Sequence, residues 1–370
     1  MSTSSERLDR YDAYLRQDPG NALLAMQAFE LALDLGYLER AQAYLDQARA
    51  VEGDAAYLSH RQAALLAAQG RWPEALAAQR SLCQRFPDDA DLQATLATLL
   101  HCAGEHDAAE TIWSELQAGG RLPPHAWAYR LRTLHFQRRL TEALAWAGAL
   151  PLESQPEAAG VLSLMAVDAG DFAAARHWVT VALAGASDSV EALTARGALA
   201  LAAKDPVSAL TDFNAVLQRR PAEGRVWSSA GIAQLLLRQP QAAVDAFQRA
   251  TALMPAHIGS WHGLGWAQLL RGDLAAASTA FEHALALDRN FGESHGGVAI
   301  THALAGRAEQ ADHHIELALR LDPSSLSVRY AQAARSGALQ RPEAFQRLAE
   351  RALRGAQAPD GRSLLDWMSN

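Results

Sequence analysis

Lysine is all but missing from this sequence. Lys204 is the only one, so 32 of the 33 basic residues are arginine. Forty-one acidic residues outnumber them, and the formal net charge is −8. Binding to nucleic-acid phosphates needs clustered positive charge, so this balance argues against a nucleic-acid partner. Cysteine is nearly absent too. Cys83 and Cys102 fit a reducing compartment. One closes a predicted helix and the other lies near the end of the next, roughly 18 Å of helical rise away, too far for a disulfide. No apolar run approaches the ~20 residues needed to cross a bilayer. The opening MSTSSERLDR lacks a basic segment followed by an apolar one, so no signal peptide is read and the cytoplasm is the expected location. The alternation of β-branched residues that marks strands is missing, which excludes strand-containing repeats. Abundant Ala and Arg with one Lys point to a GC-rich, bacterial source.

What is present is periodicity. Segments starting at Val190, Gly224, Ile258 and Gly292 align without a gap, each 34 residues after the last. Their eighth position holds Gly197, Gly231, Gly265 and Ala299, and their twentieth Ala209, Ala243, Ala277 and Ala311. Their twenty-fourth holds Phe213, Phe247, Phe281 and Ile315. Backward, the frame reaches starts at 156, 124, 90, 56 and 22 with one two-residue deletion, and alanine fills the twentieth position in all nine repeats. Positions 20, 24 and 27 are i, i+4 and i+7, the buried stripe of an amphipathic helix. Small residues at positions 8 and 20 let two helices approach closely, and bulky ones such as Trp227, Trp261, Phe247 and Phe281 fill the space beside that contact. Glycine near position 15 (Gly36, Gly70, Gly104, Gly170, Gly272, Gly306) suits a left-handed helix end. Proline near position 32 stops the second helix. Each repeat is therefore predicted to be a helix–turn–helix, and the chain an all-α array. The repeat starting at 124 departs most, with Leu131, Arg138 and Ala147 at positions 8, 15 and 24.

The run Trp261–His262–Gly263–Leu264–Gly265–Trp266–Ala267–Gln268, followed by Gly272, Ala277, Phe281 and Ala284, resembles the tetratricopeptide-repeat family. The resemblance covers about residues 22–325. The fold it implies is a right-handed superhelical α-solenoid of tandem helix pairs. The expected layout is an N-terminal capping helix in 1–21, nine repeats over 22–325, a degenerate tenth repeat in 326–355 and a C-terminal capping helix in 356–370.

In this family the first helix of each pair lines the concave face, which marks two zones for a partner. The polar one comprises Tyr57, His60, Arg61, His101, His125, Tyr129, Arg132 and His135, expected to become cationic on acidification. The apolar one includes Leu201, Ile232, Leu235, Leu236, Trp266, Leu269, Ile300 and Leu304, with Arg225 and His262 interspersed. Trp266 is its expected anchor. On the second helices, Trp146 and Trp178 read either as packing that repairs the irregular fourth repeat or as a convex contact patch. The Lys/Asn clamp with which some members grip a C-terminal carboxylate is absent, and so is the Asn ladder at position 6 of others.

Chemistry-bearing constellations are not visible. No nucleophile–base pair, carboxylate pair or phosphate-cradling loop stands out. His283, His295, His302, His313 and His314 crowd one stretch. His295 and His302 fall at inward positions and His313 and His314 at outward ones, so they read as packed or solvated rather than as metal ligands. The expectation is a non-catalytic scaffold that binds a protein or peptide in the concave groove, with no cofactor, no metal, no nucleic acid and no membrane insertion. Its oligomeric state is open, with a monomer one option. The alternatives are an assembly or secretion chaperone for a hydrophobic client, and a regulatory subunit of a separate enzyme.

Overall fold

The computed structural model describes residues 4–340, and every regular element among them is a helix. Helix α1 (Ser4–Gln17) precedes nine helix pairs, numbered here as repeats 1 to 9. They are α2 (Ala22–Asp34) with α3 (Leu38–Glu52), α4 (Ala56–Ala68) with α5 (Trp72–Arg85), α6 (Ala90–Cys102) with α7 (His106–Ala118), α8 (Trp127–Phe136) with α9 (Leu140–Ala147), and α10 (Pro156–Asp168) with α11 (Phe172–Gly185). Then follow α12 (Val190–Ala202) with α13 (Pro206–Arg219), α14 (Gly224–Leu236) with α15 (Pro240–Leu253), α16 (Ile258–Leu270) with α17 (Leu274–Leu287), and α18 (Gly292–Leu304) with α19 (Ala308–Leu321). Helix α20 (Leu326–Arg335) comes next. The rest of the expected tenth repeat and the expected cap in 356–370 lie outside the described residues. The packing falls into two compact units that divide between Ala158 and Ala159.

Local chemistry sets the helix ends. Asn21, Asp89, Asp171, Ser189, Asp205, Asp273 and Ser325 each accept a hydrogen bond from an N–H of the helix they precede. The turn inside each pair needs one residue with positive φ. Glycine supplies it in six repeats, from Gly36 at 75° to Gly272 at 85°. In repeats 4, 6 and 7 the same place is held by Arg138, Lys204 and Arg238, at φ 60°, 62° and 56°.

In repeats 6, 7 and 8 of the second unit an aromatic ring fills the core. Phe213, Phe247 and Phe281 are buried, each against a small residue on a first helix. Phe247 lies between Gly231 of its own repeat and Gly263 of the next, and Phe281 lies between Gly265 and Gly297 in the same manner. In the first unit, Leu45 and Trp113 fill the equivalent place. In repeat 2 that place is taken by a buried amide, Gln79, whose Nε2 donates to the Leu92 carbonyl at 2.9 Å. Repeat 4 has only Ala147 there, and its second helix, α9, is eight residues long against 13 to 15 in the other pairs. Trp146 compensates. Its ring lies over the Arg130 guanidinium at 4.4 Å, and Arg130 forms a buried pair with Glu110 at 2.9 Å.

Candidate partner-binding surface

In the first unit the polar zone resolves into a cluster and several separate groups. The cluster joins α6 to α8. His101 Nδ1 is 2.9 Å from the Thr133 hydroxyl, and Tyr129 meets the His101 ring edge-on with centroids 6.4 Å apart. Arg132 lies over the Tyr129 ring at 5.0 Å and pairs with Glu157 at 2.9 Å. His135 follows on α8, half-buried. Elsewhere, Tyr57 is exposed on α4 and its hydroxyl donates to Glu52 at 2.5 Å. His60 is half-buried beside Gln79, 3.3 Å from its Oε1. Arg61 is paired with Glu30. His125 is exposed in the short 3-10 turn before α8, 3.9 Å from an Asp91 oxygen.

Two members of this zone take up a proton at lower pH than a free imidazole would. Burial, with Arg61 alongside, lowers the His60 pKa. Burial, with His106 and Arg132 alongside, pushes His101 down to about 4. His101 therefore gains its charge only well below the ordinary histidine range.

In the second unit the apolar zone is divided between packing and surface. Ile300, expected to line the groove, is fully buried in a cluster with Ala299 and Ala331. Trp266 and Leu269 cover that cluster and are only half-exposed. The Trp266 ring sits edge-on to Phe281 at 6.2 Å and to Tyr330 of α20 at 5.4 Å. Leu235 packs on Phe247 and Leu264. His262 is half-buried, with Nε2 3.0 Å from the Ser294 hydroxyl, and burial lowers its pKa. Arg225 is exposed but engaged by Asp168 of α10, two repeats back, with Nη1 2.8 Å from Oδ2. The accessible apolar groups are instead Ile232 at 47% exposure, Leu236 at 51%, Leu270 at 63% and Leu304 at 44%. Sequence reasoning passed over Leu270, although it occupies the same repeat position as Leu236 and Leu304.

The histidines of repeat 9 also differ from expectation at one point. His313 is exposed, but His314 is turned inward and half-buried. His295 Nε2–H donates to the Arg289 carbonyl at 3.0 Å. His295 Nδ1 is then an acceptor for His314 Nδ1–H at 3.0 Å. Burial, with His295 and His302 as neighbours, pushes His314 down to about 4. Among the described residues no three metal-ligating side chains converge, and no helix is long and apolar enough to cross a membrane. Cys83 and Cys102 are both free thiols, their pKa values raised by burial. On the second helices, Trp146 also donates from Nε1 to Gln117 at 3.2 Å, and Trp178 is half-buried over Ala159, Ala182 and Ala192.

Residues 258–291, one helix pair of this tandem array, match the family model described as Tetratricopeptide repeat. The other pairs share the helix–turn–helix fold of that matched repeat. The fold is also that of the Cut9 and Hcn1 assembly of the APC/C. That structure aligns over 91% of this chain and 67% of its own, with a TM-score of 0.65 at 18% identity. MamA of Desulfovibrio magneticus aligns over 46% of this chain and 96% of its own at 20% identity, with a TM-score of 0.41. YrrB, described as a tetratricopeptide-repeat protein with an unusual peptide-binding site, aligns over 49% and 95% at 19% identity, also at 0.41. No curated protein matches the sequence significantly. In tetratricopeptide-repeat terms, Ile232, Leu236, Leu270 and Leu304 belong to the first helices of repeats 7, 8 and 9, while the second helices expose Val207, Leu253, Leu287 and Leu321.

Proposed function

We propose that the chain is a non-catalytic scaffold that holds a protein or peptide partner against the first helices of its tetratricopeptide repeats. The observation that carries this reading is the exposure of Ile232, Leu236, Leu270 and Leu304 on three successive first helices. Large aliphatic side chains left in water along one edge of a packed array mark a surface that is covered in use. In this reading α1 caps an array of nine repeats over 22–325. The apolar edge supplies affinity. The two free thiols agree with a cytoplasmic setting.

The test is affinity capture of the full chain from its source cells with quantitative mass spectrometry. The variant Leu236→Asp with Leu304→Asp is run in parallel. A protein enriched on the wild type and depleted on the variant is the expected result. Equal enrichment on both would overturn the use of this surface, and the absence of any enriched protein would overturn the scaffold reading.

A further inference from the structure

Within the second unit, the inward-facing side of the first helices is largely filled by the chain's own side chains. Arg225 of repeat 7 reaches Asp168 of repeat 5. Trp266 of repeat 8 meets Tyr330, beyond repeat 9. Ile300 is buried beneath Trp266 and Leu269. These contacts join helices two repeats apart, across the face that a groove-bound peptide would need. The exposed leucines lie elsewhere, at the last residues of α14, α16 and α18, next to the turns inside each pair.

We propose that this turn-side edge, Leu236, Leu270 and Leu304, is a docking ridge for an acidic amphipathic helix whose apolar residues recur every two turns. The inference rests on the scaffold reading and names the chemistry of the partner.

Three observations support it. First, the helix does not need leucine at this position. Other repeats end their first helices with Ala68, Cys102 or Ala202, and the residues just before, Leu235 and Leu269, are the ones that turn into the core. Second, the spacing fits. Adjacent packed helices lie about 8–10 Å apart, so equivalent leucines in successive repeats stand roughly 10 Å apart. A helix returns to the same face every seven residues, about 10.5 Å. A partner with apolar residues at i, i+7 and i+14 therefore places one on each leucine. Ile232, one turn before Leu236 on α14, widens the seat at that end.

Third, the ridge has a basic border on an acidic protein. Arg238 follows Leu236 by two residues and Arg307 follows Leu304 by three. Neither guanidinium has a carboxylate partner among the described residues. Arg271, in between, is held by Asp273 and Gln241. Asp205 and Asp273 cap α13 and α17, each accepting from a backbone N–H. Arg238 is moreover retained at φ 56°, a conformation that glycine supplies without strain in six of the other repeats. Two unmatched arginines flanking an apolar ridge call for carboxylates at the two ends of the partner helix.

The test uses the full chain and a fluorescent synthetic helix of about 18 residues, with leucine every seventh position and glutamate beside each leucine. Its control carries lysine in place of glutamate. The glutamate peptide is expected to bind saturably by anisotropy, and the lysine peptide at least about tenfold more weakly. Leu270→Asp should weaken the glutamate peptide by at least about tenfold with an unchanged circular-dichroism spectrum, since that side chain is 63% exposed. Arg238→Glu with Arg307→Glu should reverse the preference between the two peptides. Absence of binding by the glutamate peptide, equal binding of the two peptides, or wild-type binding by Leu270→Asp each overturns the ridge. A partner still captured from cells alongside any of these results would leave the scaffold reading standing, so the two failures are distinguishable.

Discussion

A buried phenyl ring between two glycines has no room to give. A Cβ at Gly263 would fall 2.2 Å from Phe247 Cε1, and one at Gly231 would fall 2.8 Å from the other edge of the ring. The ring is also shut in by Ala243, Val244 and Leu264, so it cannot swing aside. Alanine is ordinarily a better helix former than glycine by about 1 kcal/mol. Here the clash decides the sign, because overpacking a closed core costs about 1–3 kcal/mol and often more. Gly263→Ala is therefore expected to lower the thermal midpoint of unfolding, and an unchanged or raised midpoint would show that Phe247 has another place to go. Helix propensity alone would raise the midpoint, so a fall reports the ring contact.

At the scale of the element, the turn inside each pair offers a gain rather than a loss. Left-handed backbone costs a residue with a Cβ about 1–2 kcal/mol. Introducing glycine loosens the unfolded chain and gives back about 0.4–1 kcal/mol of that. Arg238→Gly should thus stabilise the protein by roughly 0.5–1 kcal/mol, read as a higher midpoint in urea. A lower midpoint would mean that the Arg238 side chain makes a stabilising contact. The helix pairs themselves were legible in the sequence because close packing leaves a periodic trace. Alanine at the twentieth position and glycine or alanine at the eighth are what two touching helices require. The accessible surface was much less legible. Trp266 and Leu236 look alike in a register of outward positions, yet the first packs edge-on to Tyr330 and the second is left 51% exposed. Periodicity tells which way a residue points, whereas exposure depends on the size of whatever the next repeats place above it. Ile300 was misjudged for that reason, and Leu270 was passed over for the same one. His314 was misread because its inward turn is fixed by a hydrogen bond to His295, which no spacing rule encodes.

At the scale of the whole molecule, acid should act on both units at once. His101 in one and His314 in the other are each pushed down to about 4 by burial and neighbouring rings or guanidinium. In the unfolded chain both titrate near the ordinary value of about 6.5. Above that pH they are neutral in both states and stability is unaffected. Between about 6.5 and 4 the unfolded chain takes up protons that the folded one refuses, so stability falls as pH falls through that window. Below about 4 both states are protonated and these two groups add no further loss. The thermal midpoint should therefore drop between about pH 6.5 and 4, and His101→Gln with His314→Gln should flatten part of that drop. A double variant with the wild-type slope would exclude these histidines as the cause. One further property follows from the contacts that skip a repeat. Arrays of this kind are usually treated as chains of nearest neighbours, but Arg225 and Asp168 are 57 residues apart in sequence, and Trp266 and Tyr330 are separated by nearly two periods. The smallest piece that could be transplanted between relatives with its contacts intact is thus three repeats long, and the compensating substitutions that record its history will be found at close to twice the repeat length.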